Sequence, residues 1–106
     1  MTSKQPILTN RIRKVPRQFS WIDHRLVRDR HIEGLTHPAA ALYLFLLTVG
    51  DTYGLSWYGD ESVMHRLSMD KETLIKARGS LIKSGMIAYK EPLYQVLSLD
   101  NREDIQ

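Results

Sequence analysis

The chain has no cysteine among its 106 residues. That excludes a disulfide framework and any thiolate zinc site. Glycine is scarce, at six residues, and none falls in a Gly-rich turn of the kind that cradles phosphates. Long apolar runs are missing too. The longest stretch without a charge runs from Gly34 to Gly50, seventeen residues, whereas a bilayer span needs about 20. The opening Met-Thr-Ser-Lys-Gln-Pro has no apolar signal core. These absences lead to the expectation of a cytoplasmic protein without a membrane partner.

What is present looks globular. Hydrophobic residues make up 42% and charged residues 25%, so one domain with its own core is expected. The net charge of +3 is unevenly spread. Residues 1–34 hold eight Lys/Arg against three Asp/Glu, and residues 70–90 hold five against two. Residues 35–69 and 91–106 are both net acidic. Two basic blocks flanking a weakly charged middle suggest either a polyanion partner or two solvated faces.

Residues 1–18 read as a mobile basic arm, with Arg11, Arg13, Lys14 and Arg17 kept out of a helix by Pro16. Phe19-Ser-Trp-Ile22 reads as an extended or strand-like piece with two aromatics to bury. Asp23 is expected to cap a helix reaching about residue 33, with Gly34 as its stop. Thr36 is the expected N-cap of a helix that carries Pro38 in its first turn. The run Ala39-Ala-Ala-Leu-Tyr-Leu-Phe-Leu-Leu47 is apolar all round, which suits the centre of a small domain. A short strand is expected at 55–58, and a helix at 61–67 with Asp60 as cap. A further helix, 71–84, has Asp70 as cap, a core stripe of Leu74, Ala77 and Leu81, and Gly85 as stop. Residues 86–90 and 94–99 then form a hairpin across Glu91-Pro-Leu93, with a bulge or strand end near Ser98. Residues 100–106 read as a polar tail.

The expected fold class is therefore mainly α with a small β-hairpin, α+β. The order of elements from residue 36 is that of a winged helix-turn-helix preceded by an N-terminal strand and helix. Leu67-Ser-Met-Asp-Lys-Glu-Thr-Leu74, Leu81 and Gly85-Met-Ile87 resemble a common winged-helix phrase. Phe19-Ser-Trp-Ile-Asp and Leu35-Thr-His-Pro-Ala-Ala-Ala-Leu-Tyr-Leu-Phe-Leu47 resemble the N-terminal domains of plasmid replication initiators and DnaD-type primosome proteins. The resemblance covers about residues 19–99. It implies a bacterial DNA-binding module in replication or transcription control of a mobile or plasmid-like element. Two residues depart from the pattern. Arg78 stands where the phrase has a core leucine; either the helix bends there, or its stem covers the core edge with its head in water, and the sequence leaves open whether it points to the core edge or to DNA. Ile75 or Ile82 would then supply the missing apolar contact. Gly79 follows Arg78 inside the helix.

The candidate site follows from the helical phase. With residues 74, 77 and 81 inward, Lys71, Glu72, Lys76, Gly79, Ser80 and Lys83 face outward. Lysines neutralise phosphates, and Ser80 and Thr73 could bond a phosphate or a base edge. Lys90 is the one cation near the wing tip, beside the acidic Glu91. Arg11, Arg13, Lys14 and Arg17 could follow a minor groove or the phosphates. Double-stranded DNA is thus the expected partner, contacted by Lys71, Thr73, Lys76, Ser80, Lys83, Lys90 and the arm. The alternative is a homodimer or protein-interaction module that uses the apolar helix, the aromatic strand and the wing. His24 and His31 are seven apart with no third ligand, so no metal is expected. Asp23-His24 with Ser20 lacks an oxyanion hole or nucleophile motif, so no catalysis, cofactor or small-molecule substrate is expected. Trp21, Trp57 and Tyr58 could stack on bases, although core packing is the commoner use of such residues.

Overall fold

The computed structural model describes residues 4–100. Four helices and three strands follow in the order α1 (Arg25–Arg28), α2 (His37–Val49), β1 (Leu55–Trp57), α3 (Asp60–Leu67), α4 (Lys71–Lys83), β2 (Ile87–Lys90) and β3 (Leu93–Val96). The fold is α+β, mostly helical with one small antiparallel sheet. This layout is compatible with a winged helix-turn-helix.

α2 starts where its sequence directs. Thr36 is extended, and its side chain accepts a hydrogen bond from the Ala39 amide at 3.3 Å, while Pro38 sits where no amide is needed. Ala39, Leu42, Tyr43 and Leu46 are buried, a 3-4 spacing that lays one stripe of α2 against the rest of the core. α4 meets that stripe with Leu74, Ala77 and Leu81, and α2 with α4 is the main helix pair. Val63, Met86, Ile87, Tyr94 and Leu99 complete the core.

The sheet has the order β1-β3-β2. β2 and β3 form the hairpin, with Ile87 opposite Val96 and Lys90 opposite Leu93. β1 adds to the far side of β3, with Leu55 opposite Gln95 and Trp57 opposite Leu93. This pairing spans some forty residues of sequence and depends on one close approach. The Val96 amide donates to the Gly54 carbonyl at 2.9 Å. A Cβ on Gly54, whose φ is +79°, would stand 2.6 Å from the Val96 carbonyl oxygen. The strand ends at Val96, and Leu99 turns back into the core, so the hairpin stops before Ser98.

The N-terminal part differs from its sequence reading. α1 has only four residues and stops at Arg28. Arg30 adopts a left-handed φ of +64°, and the Ile32 amide reaches back to the Leu26 carbonyl at 2.9 Å. The polar run Asp29-Arg30-His31 offers no apolar side to continue a helix, so a tight turn replaces it. His24, with no side-chain cap bond, stands in the N-cap place in lieu of the expected Asp23, whose Oδ1 nevertheless accepts from the Arg25 amide at 2.9 Å. Residues 19–22 are extended but join no sheet, and their aromatics are not buried. Phe19 is 64% and Trp21 75% exposed. Leu26 packs half-buried against the core, and two polar anchors add to it. The Ser20 hydroxyl donates to the Thr48 carbonyl at 3.2 Å, and Arg25 bridges Asp23 at 2.6 Å and Asp100 at 2.9 Å. No helix among the described residues is long and apolar enough to cross a membrane.

Candidate nucleic-acid interface

The unit that presents the site is α3, a turn and α4. α3 ends at Ser68, which takes a left-handed φ of +53° while the Met69 amide donates to the Met64 carbonyl at 3.1 Å. Two residues on, Asp70 caps α4 by accepting from the Thr73 amide at 2.8 Å. Such a cap stabilises a helix by about 1 kcal/mol. The bonds from Thr73 also hold the Asp70 carboxyl below its usual range. At the other end the Gly85 amide donates to the Ile82 carbonyl and the Met86 amide to the Leu81 carbonyl, both at 3.0 Å. This paired closure around a left-handed glycine is a Schellman stop. It passes the chain into β2 with one intervening residue.

Arg78 is the finding that sequence reasoning missed. Its side chain is only 12% exposed, so its head is not in water. One guanidinium nitrogen donates to Asp60 Oδ1 at 2.8 Å and to the Tyr94 hydroxyl at 2.9 Å. The guanidinium carbon lies 4.3 Å from the centroid of the Tyr89 ring, and Tyr89 packs on Tyr94 at 4.5 Å between centroids. One cation thus joins α3, α4, β2 and β3. Burial opposes its charge, but its bonds to Asp60 and Tyr94 outweigh burial and raise its pKa. Burial likewise raises the Tyr94 phenol, against the pull of Arg78. Two expectations change as a result. Asp60 is not the cap of α3: it is the first helical residue, Gly59 precedes it, and its carboxylate is committed to Arg78. Ile75 and Ile82 do not fill the missing leucine's place either, being 50% and 44% exposed. The readable signal was the pair itself, an acid at the start of one helix and an arginine at a core position of the next.

The remaining cations of α4 point outward. Lys71, Lys76 and Lys83 are exposed, with Leu74, Ala77 and Leu81 on the opposite side. Lys76 lies 3.3 Å from Glu72, both more than three-quarters exposed. Such a pair is worth about 0–1 kcal/mol and yields readily to a stronger anion. Thr73 and Ser80 are half-buried, on the flank of the face and not at its centre. Gly79 is exposed at the centre, and a Cβ there would meet nothing within 4 Å. The glycine therefore costs the helix about 1 kcal/mol relative to alanine with no packing return.

Lys90 is exposed at the end of β2. The outer face of the sheet beside it carries Trp57, 75% exposed, so Trp57 is not a core residue. Tyr58 is half-buried and meets Phe45 edge-on at 5.0 Å. Arg11 ends a 3-10 turn, Thr9–Arg11, and Arg13, Lys14 and Arg17 follow, exposed and outside any helix or strand, with Arg17 at a bend. The structure thus keeps the arm's cations apart from those of α4 in sequence and in local structure. No family model, curated protein or solved structure matches the chain.

Proposed function

We propose that this chain is a non-catalytic winged helix-turn-helix module that binds double-stranded DNA through the outer face of α4. One observation carries the reading: α4 sorts its cations. Arg78 is turned inward to hold the sheet, and Lys71, Lys76 and Lys83 are exposed on the face opposite the core, Lys76 lying 3.3 Å from the exposed Glu72. A helix that needed charge only for solubility has no use for that division. Three exposed lysines on one rigid face match a row of phosphates, and each phosphate neutralised contributes about 0.9 to the log–log salt slope of binding. Lys90 and the basic arm add cations outside that face. The resemblance to replication initiators and DnaD-type proteins rests on the quoted residues and supports a replication or regulatory role.

The test is a titration of random duplex at two salt concentrations. Lys71→Glu, Lys76→Glu and Lys83→Glu together are expected to abolish binding with the thermal midpoint nearly unchanged. Wild-type affinity in the triple variant would remove α4 as the contact surface.

A specific observation favours a second reading, a protein partner or second copy. Ile7, Val15, Phe19 and Trp21 are all exposed, and beside Ile22 an open apolar hollow of about 360 Å³ lies between Leu26, Leu35 and Leu44. An interface built on these groups would be insensitive to salt, which separates it from phosphate binding.

A further inference from the structure

Two isoleucines on α4 are not used by the core. Leu74, Ala77 and Leu81 already fill its inner stripe, while Ile75 is 50% and Ile82 44% exposed. They are seven residues apart, two turns, and so share one side of the outer face. Gly79 stands on that face between them, exposed. It has no positive φ to require glycine, and an added Cβ would touch nothing. Neither backbone nor packing accounts for it. What a glycine supplies at such a point is room for another molecule to come closer to the helix axis. Lys71, Lys76 and Lys83 stand on the same exposed surface.

An apolar strip bordered by cations matches a surface that is apolar in the middle and anionic at its edges. A thymine-bearing major groove has that layout, since the 5-methyl groups project from its floor between two rows of phosphates. An apolar protein patch would match the isoleucines but offer no anion to Lys71 and Lys83, whereas Lys76 already lies 3.3 Å from Glu72 on the same surface. The helix also lacks outward Arg, Asn or Gln, the side chains that make bidentate contacts with guanine and adenine. Apolar contact is therefore the base readout that α4 is equipped to make.

We infer that Ile75 and Ile82 read thymine methyl groups, with Gly79 letting the duplex approach the helix between them. The inference rests on the duplex-binding reading above and names the DNA that the face selects. The sequence preference it implies is for A·T pairs that present their thymine methyl groups along the major groove, on either strand.

The experiment compares a 20-base-pair alternating dA–dT duplex with the same duplex carrying deoxyuridine for thymidine, by fluorescence anisotropy on the full chain. Deoxyuridine removes only the methyl and keeps every hydrogen-bonding edge. Wild type is expected to bind the uracil duplex more weakly, by about fourfold for each methyl contacted. Ile75→Ala and Ile82→Ala, both at exposed positions, are expected to lose that discrimination while keeping their fold. Gly79→Ala is expected to raise the thermal midpoint by about 4–8 °C and to weaken binding to the thymine duplex. Equal wild-type affinity for the two duplexes would overturn the inference and leave duplex binding intact. Gly79→Ala gaining stability at full affinity would overturn the role of the glycine. No binding to either duplex at low salt would overturn the duplex-binding reading itself, and this inference with it.

Discussion

Residues 36–99 and residues 4–34 use their apolar side chains in opposite ways. Every buried residue among those described lies between Ala39 and Leu99. The earlier segment has no buried residue, although it carries Ile7, Leu8, Ile12, Val15, Phe19, Trp21 and Ile22. The difference is one of arrangement. In the body, apolar residues recur at helical or strand period, so each element gains a face to bury. In the N-terminal segment Leu26 packs against the core and Ile22 lines an apolar hollow with it, but no residue gains a fully buried place. Polar contacts from Ser20 and Arg25 hold its end to the body. The overall dimensions agree, since a radius of gyration of 16.1 Å exceeds the roughly 13 Å of a compact chain this long. Apolar content alone therefore says little about where a core lies; periodicity and a partner element decide it.

The sharpest way to break this contrast is a matched pair of truncations. Leu81→Ala, at a fully buried position, is expected to cost about 2–5 kcal/mol in chemical denaturation. Trp21→Ala removes a larger side chain but is expected to change stability by less than about 0.5 kcal/mol. A large loss at Trp21 would show that the segment packs in solution.

The next effect in size belongs to Arg78. Arg78→Ala leaves the Asp60 carboxylate and the Tyr94 hydroxyl without their donor. The expected loss is about 2–4 kcal/mol. Adding Asp60→Asn to that variant should recover part of it, because the unpaired charge is gone. A purely additive double variant would mean that the pair contributes nothing as a pair.

Deleting residues 1–17 should affect binding and spare the fold. The deletion leaves Ser20 and Arg25 in place, so the denaturation midpoint should hardly move. The salt slope of duplex binding should fall by roughly 3 if Arg11, Arg13, Lys14 and Arg17 meet phosphates. An unchanged slope would mark the arm as a solvated tail.

The smallest expected effect is a pH-dependent loosening at α1. Hydrogen bonds from Arg25 lower the Asp23 carboxyl from 3.8 to about 2. A carboxyl lowered in the folded state stabilises it above the unfolded value, and that contribution is lost as pH falls through the folded one. The α1 anchor is thus intact above about pH 4 and released toward pH 2. The Arg25 amide, which donates to Asp23, should follow this in its NMR shift. A midpoint near 4 would mean that the ion pair does not form.

α4 was readable in the sequence because its signals are local. Asp70 as cap, 74-77-81 as stripe and Gly85 as stop lie within sixteen residues, and each acts through its own backbone. The hairpin was readable for the same reason. The addition of β1 to β3 was not, because it depends on Gly54 meeting Val96 across a long separation. Asp60 was misread because a carboxylate at a helix start serves equally as a cap or as an ion-pair partner, and only the distant Arg78 decides which. Of the site residues, the lysines of α4 emerge exposed as their phase predicts, while Thr73 and Ser80 are half-buried flanks. Exposure at Phe19, Trp21 and Trp57 was not legible, because a large aromatic looks the same in sequence whether it meets a core or another molecule.

The Arg78 cluster also has a bearing on descent. Positions 60, 78, 89 and 94 hold one charge pair, one phenol and one ring face in mutual contact. Replacing Arg78 by leucine in a relative would strand an acid at position 60 and a hydroxyl at position 94. Lineages should therefore carry the four together or lose them together, with leucine at 78 accompanied by an uncharged residue at 60 and phenylalanine at 94. The cluster would then serve as an inherited marker of this chain's own line.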